Sequence, residues 1–120
     1  MAYERACALA EVPEDEAHGV TLGRFDLALA RHGEEYFAVE NLCSHANVAL
    51  SEGEVAVSDF GACTVECWLH GSRFDLRTGK PTGLPATEPI ATFPVEVRDE
   101  ADGKAIYVDT STTLNGVTPQ

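Results

Sequence analysis

Two short cysteine–histidine pairs constrain this chain more than any other feature: Cys43-Ser44-His45 and Cys67-Trp68-Leu69-His70. Each pair brings one thiolate and one imidazole close enough together to share a short loop. Twenty-one residues separate His45 from Cys67, which is enough for a strand to run out and back between the two loops. If the loop tips meet, two sulfurs and two nitrogens face one site, so the fold has to bring these loops together.

The mixed ligand pairs narrow the choice of metal. Thiolate and imidazole suit zinc, iron or an iron–sulfur cluster. A single zinc ion is usually bound by one pair of cysteines and one pair of histidines, whereas each ligand pair here contains one cysteine and one histidine. Mixed pairs favour two metal atoms side by side, as in Rieske [2Fe-2S] centres, where two histidines replace two cysteines on one iron. On the residues alone, a structural zinc site stays open as the alternative.

The sequence around these pairs resembles the Rieske ferredoxins that supply electrons to bacterial ring-hydroxylating dioxygenases. The resemblance covers roughly residues 3–108, and its most specific stretches are 41–45, 50–53, 70–81 and 85–86. It implies one Rieske-type [2Fe-2S] cluster per chain, with Cys43 and Cys67 on the inner iron and His45 and His70 on the outer iron.

The resemblance also implies an environment for the cluster. Respiratory Rieske proteins use a serine where this chain has Ser72 to donate a hydrogen bond to a cluster sulfide, and a tyrosine where it has Phe74. One donor is therefore absent, and we expect a reduction potential toward the low end of the Rieske range, nearer about −150 mV than about +300 mV. Trp68 and Leu69 are expected either to shield the cluster and contact a partner, or to pack against the proline loop. The proline loop itself would cover the cluster from one side, with Gly83, Leu84 and Pro85 nearest to it.

Composition and charge exclude several classes of function. The chain has 120 residues, of which 44% are apolar, and a net charge of −12. No apolar run reaches the ~20 residues of a membrane span, and the N-terminus lacks a secretory pattern. We therefore expect a cytoplasmic protein, a monomer that binds neither nucleic acid nor membrane. An acidic surface also suits docking to a basic patch on another protein.

Short strands, many turns and no helical period predict an all-β fold, a Rieske-like antiparallel β-sandwich or barrel. Strands are predicted at 3–12, 20–24, 27–32, 36–40, 54–58, 62–66, 73–76, 90–98 and 104–108. The predicted domain spans 1–108, with a cluster-binding subdomain at about 41–86 that holds two ligand loops and a proline loop. Residues 109–120 are predicted to be a loosely held polar tail.

Two further cysteines have no ligand at a suitable spacing. We expect Cys7 to be a small buried residue, and Cys63 to be a core or edge residue that faces away from Cys67. A Cys7–Cys63 disulfide and a ligand role for Cys63 are the less favoured alternatives.

These observations predict a one-electron carrier that is not an enzyme by itself. It would accept electrons from an NAD(P)H-dependent flavin reductase and pass them to a terminal oxygenase with nonheme iron. The oxygenase itself would need a mononuclear iron bound by two histidines and a carboxylate, and no second histidine pair is left for one. The alternatives are a similar ferredoxin that serves iron–sulfur assembly or another redox pathway, and a colourless zinc-binding β domain that binds other proteins.

Overall fold

The computed structural model describes residues 3–42, 49–57, 63–67, 71–82, 87–101 and 103–117. This part of the chain forms ten strands in antiparallel sheets and no α-helix, which confirms the all-β prediction. None of its elements is a helix long and apolar enough to cross a membrane. The strands are β1 (Tyr3–Ala8), β2 (Ala17–Leu22), β3 (Phe25–His32), β4 (Glu35–Glu40), β5 (Val55–Val57), β6 (Cys63–Glu66), β7 (Arg73–Asp75), β8 (Thr92–Phe93), β9 (Val95–Glu100) and β10 (Gly103–Asp109).

The strands are arranged in three sheets. The first has the order β1-β10-β9, the second β2-β3-β4-β8 and the third β5-β6-β7. The first sheet joins the two ends of the described chain, because Tyr3 of β1 lies opposite Asp109 of β10. The third sheet includes the hairpin predicted between the ligand pairs, with Val55 opposite Val65 and Val57 opposite Cys63.

The second sheet is the middle layer, and its strand β3 is buried on both faces. Leu27 and Leu29 belong to an apolar cluster that also contains residues of the first sheet. Ala28 and Ala30, whose side chains point the other way, belong to a cluster with residues of the third sheet. The large residues fill the space toward the first sheet, and the small residues let the third sheet come close.

The turn between β2 and β3 shifts both strands from their predicted bounds. Gly23 adopts a φ of +60°, a left-handed conformation that glycine tolerates without strain. The turn therefore lies at Gly23-Arg24, and the strands are Ala17–Leu22 and Phe25–His32.

Two other strands end earlier than predicted. Pro94 interrupts the long strand expected near the C-terminus, because proline has no N–H to donate to a ladder. As a result Phe93 ends β8 in the second sheet, and Val95 begins β9 in the first. The first strand ends at Ala8, where the Glu11 carboxylate accepts the Ala8 N–H at 2.8 Å and a 3-10 turn begins.

The segment after β10 is not loosely held over the residues that the structure describes. The Leu114 N–H donates to the Thr92 carbonyl at 2.8 Å. The Asn115 side-chain amide donates to the carbonyls of Thr78 at 2.9 Å and Ile90 at 2.8 Å. The prediction of a loose tail is therefore wrong for residues 110–117.

Candidate metal centre

One of the four predicted ligands, Cys67, lies within the described residues. It follows β6 directly and is fully buried. Ser72 and Phe74 are also described. The other predicted site residues lie outside the described residues: Cys43, His45, Trp68, Leu69, His70, Gly83, Leu84 and Pro85.

The two described ends of the second ligand loop are hydrogen-bonded to each other. The Cys67 N–H donates to the Ser72 carbonyl at 2.6 Å, and the Gly71 N–H donates to the Cys67 carbonyl at 2.9 Å. Gly71 has a φ of +75°, which a residue with a side chain would adopt only with strain. These bonds hold the described residues before and after the second ligand loop against each other.

The side chain of Cys67 is packed among buried apolar side chains. Its side chain belongs to a buried apolar cluster that includes Leu50, Val65 and Phe74. Phe74 is fully buried, and Ser72 is only 1% exposed. Ser72 therefore brings a buried hydroxyl, which can donate a hydrogen bond, and Phe74 brings none.

Two hydrogen bonds between Asn41 and Ser51, together called the polar bracket, join the residues before and after the first ligand loop. They were not predicted from the sequence. The Asn41 Oδ1 accepts the Ser51 N–H at 2.7 Å, and the Asn41 Nδ2 donates to the Ser51 Oγ at 2.9 Å. A Cβ at Gly19 would lie 3.0 Å from the Ser51 Oγ, so glycine makes room for the bracket. The only sequence signal was that Asn41 and Ser51 belong to the stretches that resemble the family.

The strand that leads to Cys67 packs closely against the exit of the first ligand loop. The Glu66 N–H donates to the Glu54 carbonyl at 2.8 Å. A Cβ on Gly53 would lie 1.7 Å from the Glu66 carbonyl oxygen, so only glycine allows this approach. The backbone beside one ligand loop is thereby fixed against the strand that positions the other.

Both described ends of the proline loop are also anchored near β7. The Thr82 N–H donates to the Arg73 carbonyl at 2.7 Å, and Pro81 forms a bridge with Phe74. At the other end, the Ile90 N–H donates to the Gly79 carbonyl at 2.8 Å. The loop therefore starts and finishes beside the strand that follows the second ligand loop.

Two basic residues that follow the second ligand loop form ion pairs. Arg73 pairs with Glu66 at 3.3 Å, and Arg77 pairs with Glu35. The Asp75 carboxylate accepts the Arg77 backbone N–H at 2.8 Å. These are partly exposed pairs of a common kind and add little to stability.

Cys7 and Cys63 are buried, unbridged thiols in two different apolar clusters. The structure therefore does not contain the disulfide weighed as an alternative. Burial raises the pKa of the Cys7 thiol to about 11. Burial also raises the pKa of Cys63, and the nearby Arg77 opposes that shift.

The prediction that Cys63 faces away from Cys67 is wrong. Both side chains belong to the same buried cluster. Residues four apart on a strand lie on one face, because the side-chain period is two. Cys63 and Cys67 are nevertheless four residues apart along the chain, at a rise of ~3.3 Å per residue. Their sulfurs are therefore too far apart to bind the same iron.

The donor set of the sequence fits an iron–sulfur cluster of the mixed-ligand kind. Among the described residues no three metal-binding side chains come together, and three of the four predicted ligands lie outside them. The part that is described supplies a buried sulfur, that of Cys67, and a buried hydroxyl, that of Ser72, five residues later. Two thiolates and two imidazoles are the ligand set of a Rieske [2Fe-2S] cluster.

Comparison with known proteins agrees with this chemistry. The sequence model described as the Rieske [2Fe-2S] domain matches residues 3–94. The 3-phenylpropionate/cinnamic acid dioxygenase ferredoxin subunit of Escherichia coli strain K12 is 41% identical over 104 residues, which cover 87% of this chain and 90% of that protein.

Solved structures of ferredoxins have the same fold. The ferredoxin of carbazole 1,9a-dioxygenase from Nocardioides aromaticivorans IC177 has a TM-score of 0.78 and 30% identity, covering 90% of this chain and 97% of that one. A chain in a complex of reduced oxygenase and oxidized ferredoxin in carbazole 1,9a-dioxygenase has a TM-score of 0.74 and 32% identity, covering 88% of this chain and 91% of that one. The chain therefore belongs to the Rieske [2Fe-2S] family, among its dioxygenase ferredoxins, and binds a Rieske-type [2Fe-2S] cluster.

Proposed function

We propose that this chain is a one-electron carrier that takes electrons from an NAD(P)H-dependent flavin reductase and delivers them to a terminal nonheme-iron oxygenase. The observation that carries the proposal is the 41% identity to a dioxygenase ferredoxin subunit, which extends over 90% of that subunit. In this role the chain catalyses no reaction by itself. It works in the cytoplasm, where the NAD(P)H that feeds the reductase is found.

In the proposal, Cys43 and Cys67 hold the inner iron, and His45 and His70 hold the outer iron. When bound, the cluster accepts and releases one electron. The fully buried Cys67 keeps its sulfur away from water, and hydrogen bonds join the backbone on the two sides of the segment that contains His70. An imidazole pair at the tip of such loops leaves the outer iron near the surface, where a partner can approach.

The remaining site residues tune and cover the cluster. Ser72 donates a hydrogen bond toward it, and Phe74 supplies an apolar wall without a second donor. The tip residues of the second loop and the middle of the proline loop shield the cluster and meet the partner: Trp68, Leu69, Gly83, Leu84 and Pro85. We place all of them in one cluster-binding subdomain, about residues 41–86, of a domain that spans 1–108.

The partner surface is proposed to be basic. A net charge of −12 favours encounter with a positively charged patch and makes the association rate depend on salt. The solved complex of oxygenase and ferredoxin shows that a similar chain is found together with an oxygenase. A single electron can pass in such an encounter without a large interface, and the carrier then leaves as a monomer.

The first experiment tests the cluster and its ligands. Anaerobically purified protein should contain two irons and two sulfides per chain and show the visible and electron-paramagnetic spectra of a Rieske centre. His70→Cys should keep a cluster but lower its midpoint potential, because a thiolate adds negative charge. Cys7→Ser, at an unligated cysteine, is the control and should leave the spectra unchanged. An unchanged potential in His70→Cys would remove His70 from the ligand set.

The second experiment tests the partners. The reduced protein is mixed in a stopped-flow instrument with a dioxygenase terminal component, and its reoxidation is followed at the cluster absorbance. Rapid, salt-sensitive reoxidation supports delivery to an oxygenase. No electron transfer to any such component, with transfer to an iron–sulfur assembly protein instead, would favour the other redox role. The family match already favours the cluster over the zinc alternative.

A further inference from the structure

Asn115, in the segment after β10, makes four hydrogen bonds. Its Nδ2 donates to the carbonyls of Thr78 at 2.9 Å and Ile90 at 2.8 Å. Its Oδ1 accepts the N–H groups of Thr92 and Val117, both at 3.3 Å. The residue lies beyond the part of the chain that matches the family, which ends at residue 94.

The partners of Asn115 belong to two segments that border the predicted cluster loops. Thr78 lies in the turn that follows β7, the strand after the second ligand loop. Ile90 and Thr92 follow the proline loop. The Ile90 N–H donates to the Gly79 carbonyl at 2.8 Å, so the turn and the loop exit already touch at one point. Asn115 ties them together at a second point.

The fit around Asn115 is close. Gly79 has a φ of +76°, and a Cβ on it would lie 2.1 Å from the Ile90 carbonyl oxygen and 2.6 Å from the Asn115 Nδ2. The turn therefore presses against the Ile90 backbone, with the Asn115 amide beside it. A side chain here needs two donors for two carbonyls and an acceptor for N–H groups, and the primary amide of asparagine has both.

The same loop exit is held from its other side by the strand that leads to the first ligand loop. The buried Glu40 carboxylate accepts the Ala91 N–H at 2.8 Å, and the Glu40 N–H donates to the Ala91 carbonyl at 2.9 Å. Glu40 is three residues before Cys43. Residues 90–92 therefore lie between β4, which leads into one ligand loop, and the turn that follows the other.

We infer that Asn115 is a positioning residue for the cluster: it holds residues 90–92 against the turn at Thr78-Gly79 and thereby fixes the described exit of the proline loop between the segments that flank the two ligand loops. Removing it loosens the loop exit and admits water to the cluster. The inference depends on the cluster, which the family match establishes, and not on the proposed reductase or oxygenase.

The test uses holoprotein and two changes at this position. Asn115→Ala removes all four hydrogen bonds. Asn115→Asp keeps the shape and the acceptor but cannot donate to the two carbonyls when ionised. Thr112→Ala, at an exposed residue of the same segment, is the matched control. Ile106→Val, in the apolar cluster on the other side of the middle sheet, controls for general loss of stability.

Two readouts decide the question. The first is the rate at which cluster absorbance is lost in the presence of an iron chelator. We expect about a tenfold increase in Asn115→Asp, which loses the two donated hydrogen bonds, and a larger increase in Asn115→Ala, which loses all four. The second is the midpoint potential, which should rise in Asn115→Ala because water favours the more highly charged reduced state. Asn115→Asp is left out of this readout, since its added negative charge lowers the potential by itself. The inference requires both changes and neither control to show them.

The opposite result is equally clear. If either readout stays at the wild-type value in Asn115→Ala, or if Ile106→Val loses its cluster as fast as the Asn115 variants do, Asn115 contributes only general stability and the inference is overturned. A failure of electron transfer to an oxygenase would leave both readouts unaffected, so the two proposals fail separately.

Discussion

Gly53→Ala is the sharpest test of how the two ligand loops are held together. Gly53 has φ −92° and ψ 175°, an extended conformation that alanine adopts without strain. The constraint on residue 53 is steric, because a Cβ there would lie 1.7 Å from the Glu66 carbonyl oxygen. An ordinary contact between carbon and oxygen is about 3.3 Å, so the two backbones would have to separate by about 1.6 Å.

That separation gives the expected magnitude. It would break the hydrogen bond from the Glu66 N–H to the Glu54 carbonyl, now 2.8 Å long. The lost bond costs about 1 kcal/mol and the overpacking about 1–3 kcal/mol more. A total of about 2–4 kcal/mol corresponds to a fall in Tm of about 8–16 °C for a domain of this size. Because Glu66 precedes Cys67, iron and sulfide per chain should fall as well.

The assay is thermal unfolding of anaerobic holoprotein, followed by circular dichroism, with Gly23→Ala as the control. Gly23 has open space around it but a φ of +60°, so alanine there should cost about 1 kcal/mol from backbone strain alone. The reasoning is refuted if Gly53→Ala melts at or above the temperature of Gly23→Ala, since the steric cost should exceed the conformational one.

Three more predictions concern single side chains. Ser72→Ala should keep the cluster but lower its potential by about 20–65 mV, the one-electron equivalent of one hydrogen bond, and a redox titration measures the change. Thr92→Val should leave the Tm unchanged or raise it, because the buried Thr92 hydroxyl has no hydrogen-bond partner among the described residues; a clear fall in Tm would reveal a partner. In holoprotein, Cys7 and Cys63 should resist alkylation at pH 8, as measured by mass spectrometry. Burial raises the pKa of Cys7 from 9.0 to about 11 in the folded state, so its contribution to stability is complete below pH 9 and is lost as the pH rises toward 11.

The sequence predicted the fold class and the hairpin between the ligand loops because local patterns encode them. The alternation of Leu27 and Leu29 with alanines marks a strand, and glycines mark its turns. The same pattern did not reveal that the alanines face a third sheet, since a small apolar residue is compatible with a solvated face or a close packing contact. Which face is covered depends on strands far away in the sequence.

The candidate site was predictable in its ligands but not in its supports. Cysteine and histidine at short spacing indicate metal chemistry directly. The amide of Asn41 closes a contact over ten residues and that of Asn115 over thirty-seven. An isolated asparagine carries no signal for such a contact, because most of its hydrogen-bond partners here are backbone groups that any residue could supply. For the same reason the segment after β10 was mistaken for a loose tail.

The pairing of β1 with β10 also orders events during synthesis. Tyr3 can meet its partner Asp109 only after residues 103–109 have left the ribosome. The strands β2 to β7 are complete by residue 75, and the proposed cluster-binding subdomain ends at about residue 86, both before that point. The region that binds iron and sulfide can therefore fold during synthesis before β10 has been made, while β1 is still unpaired.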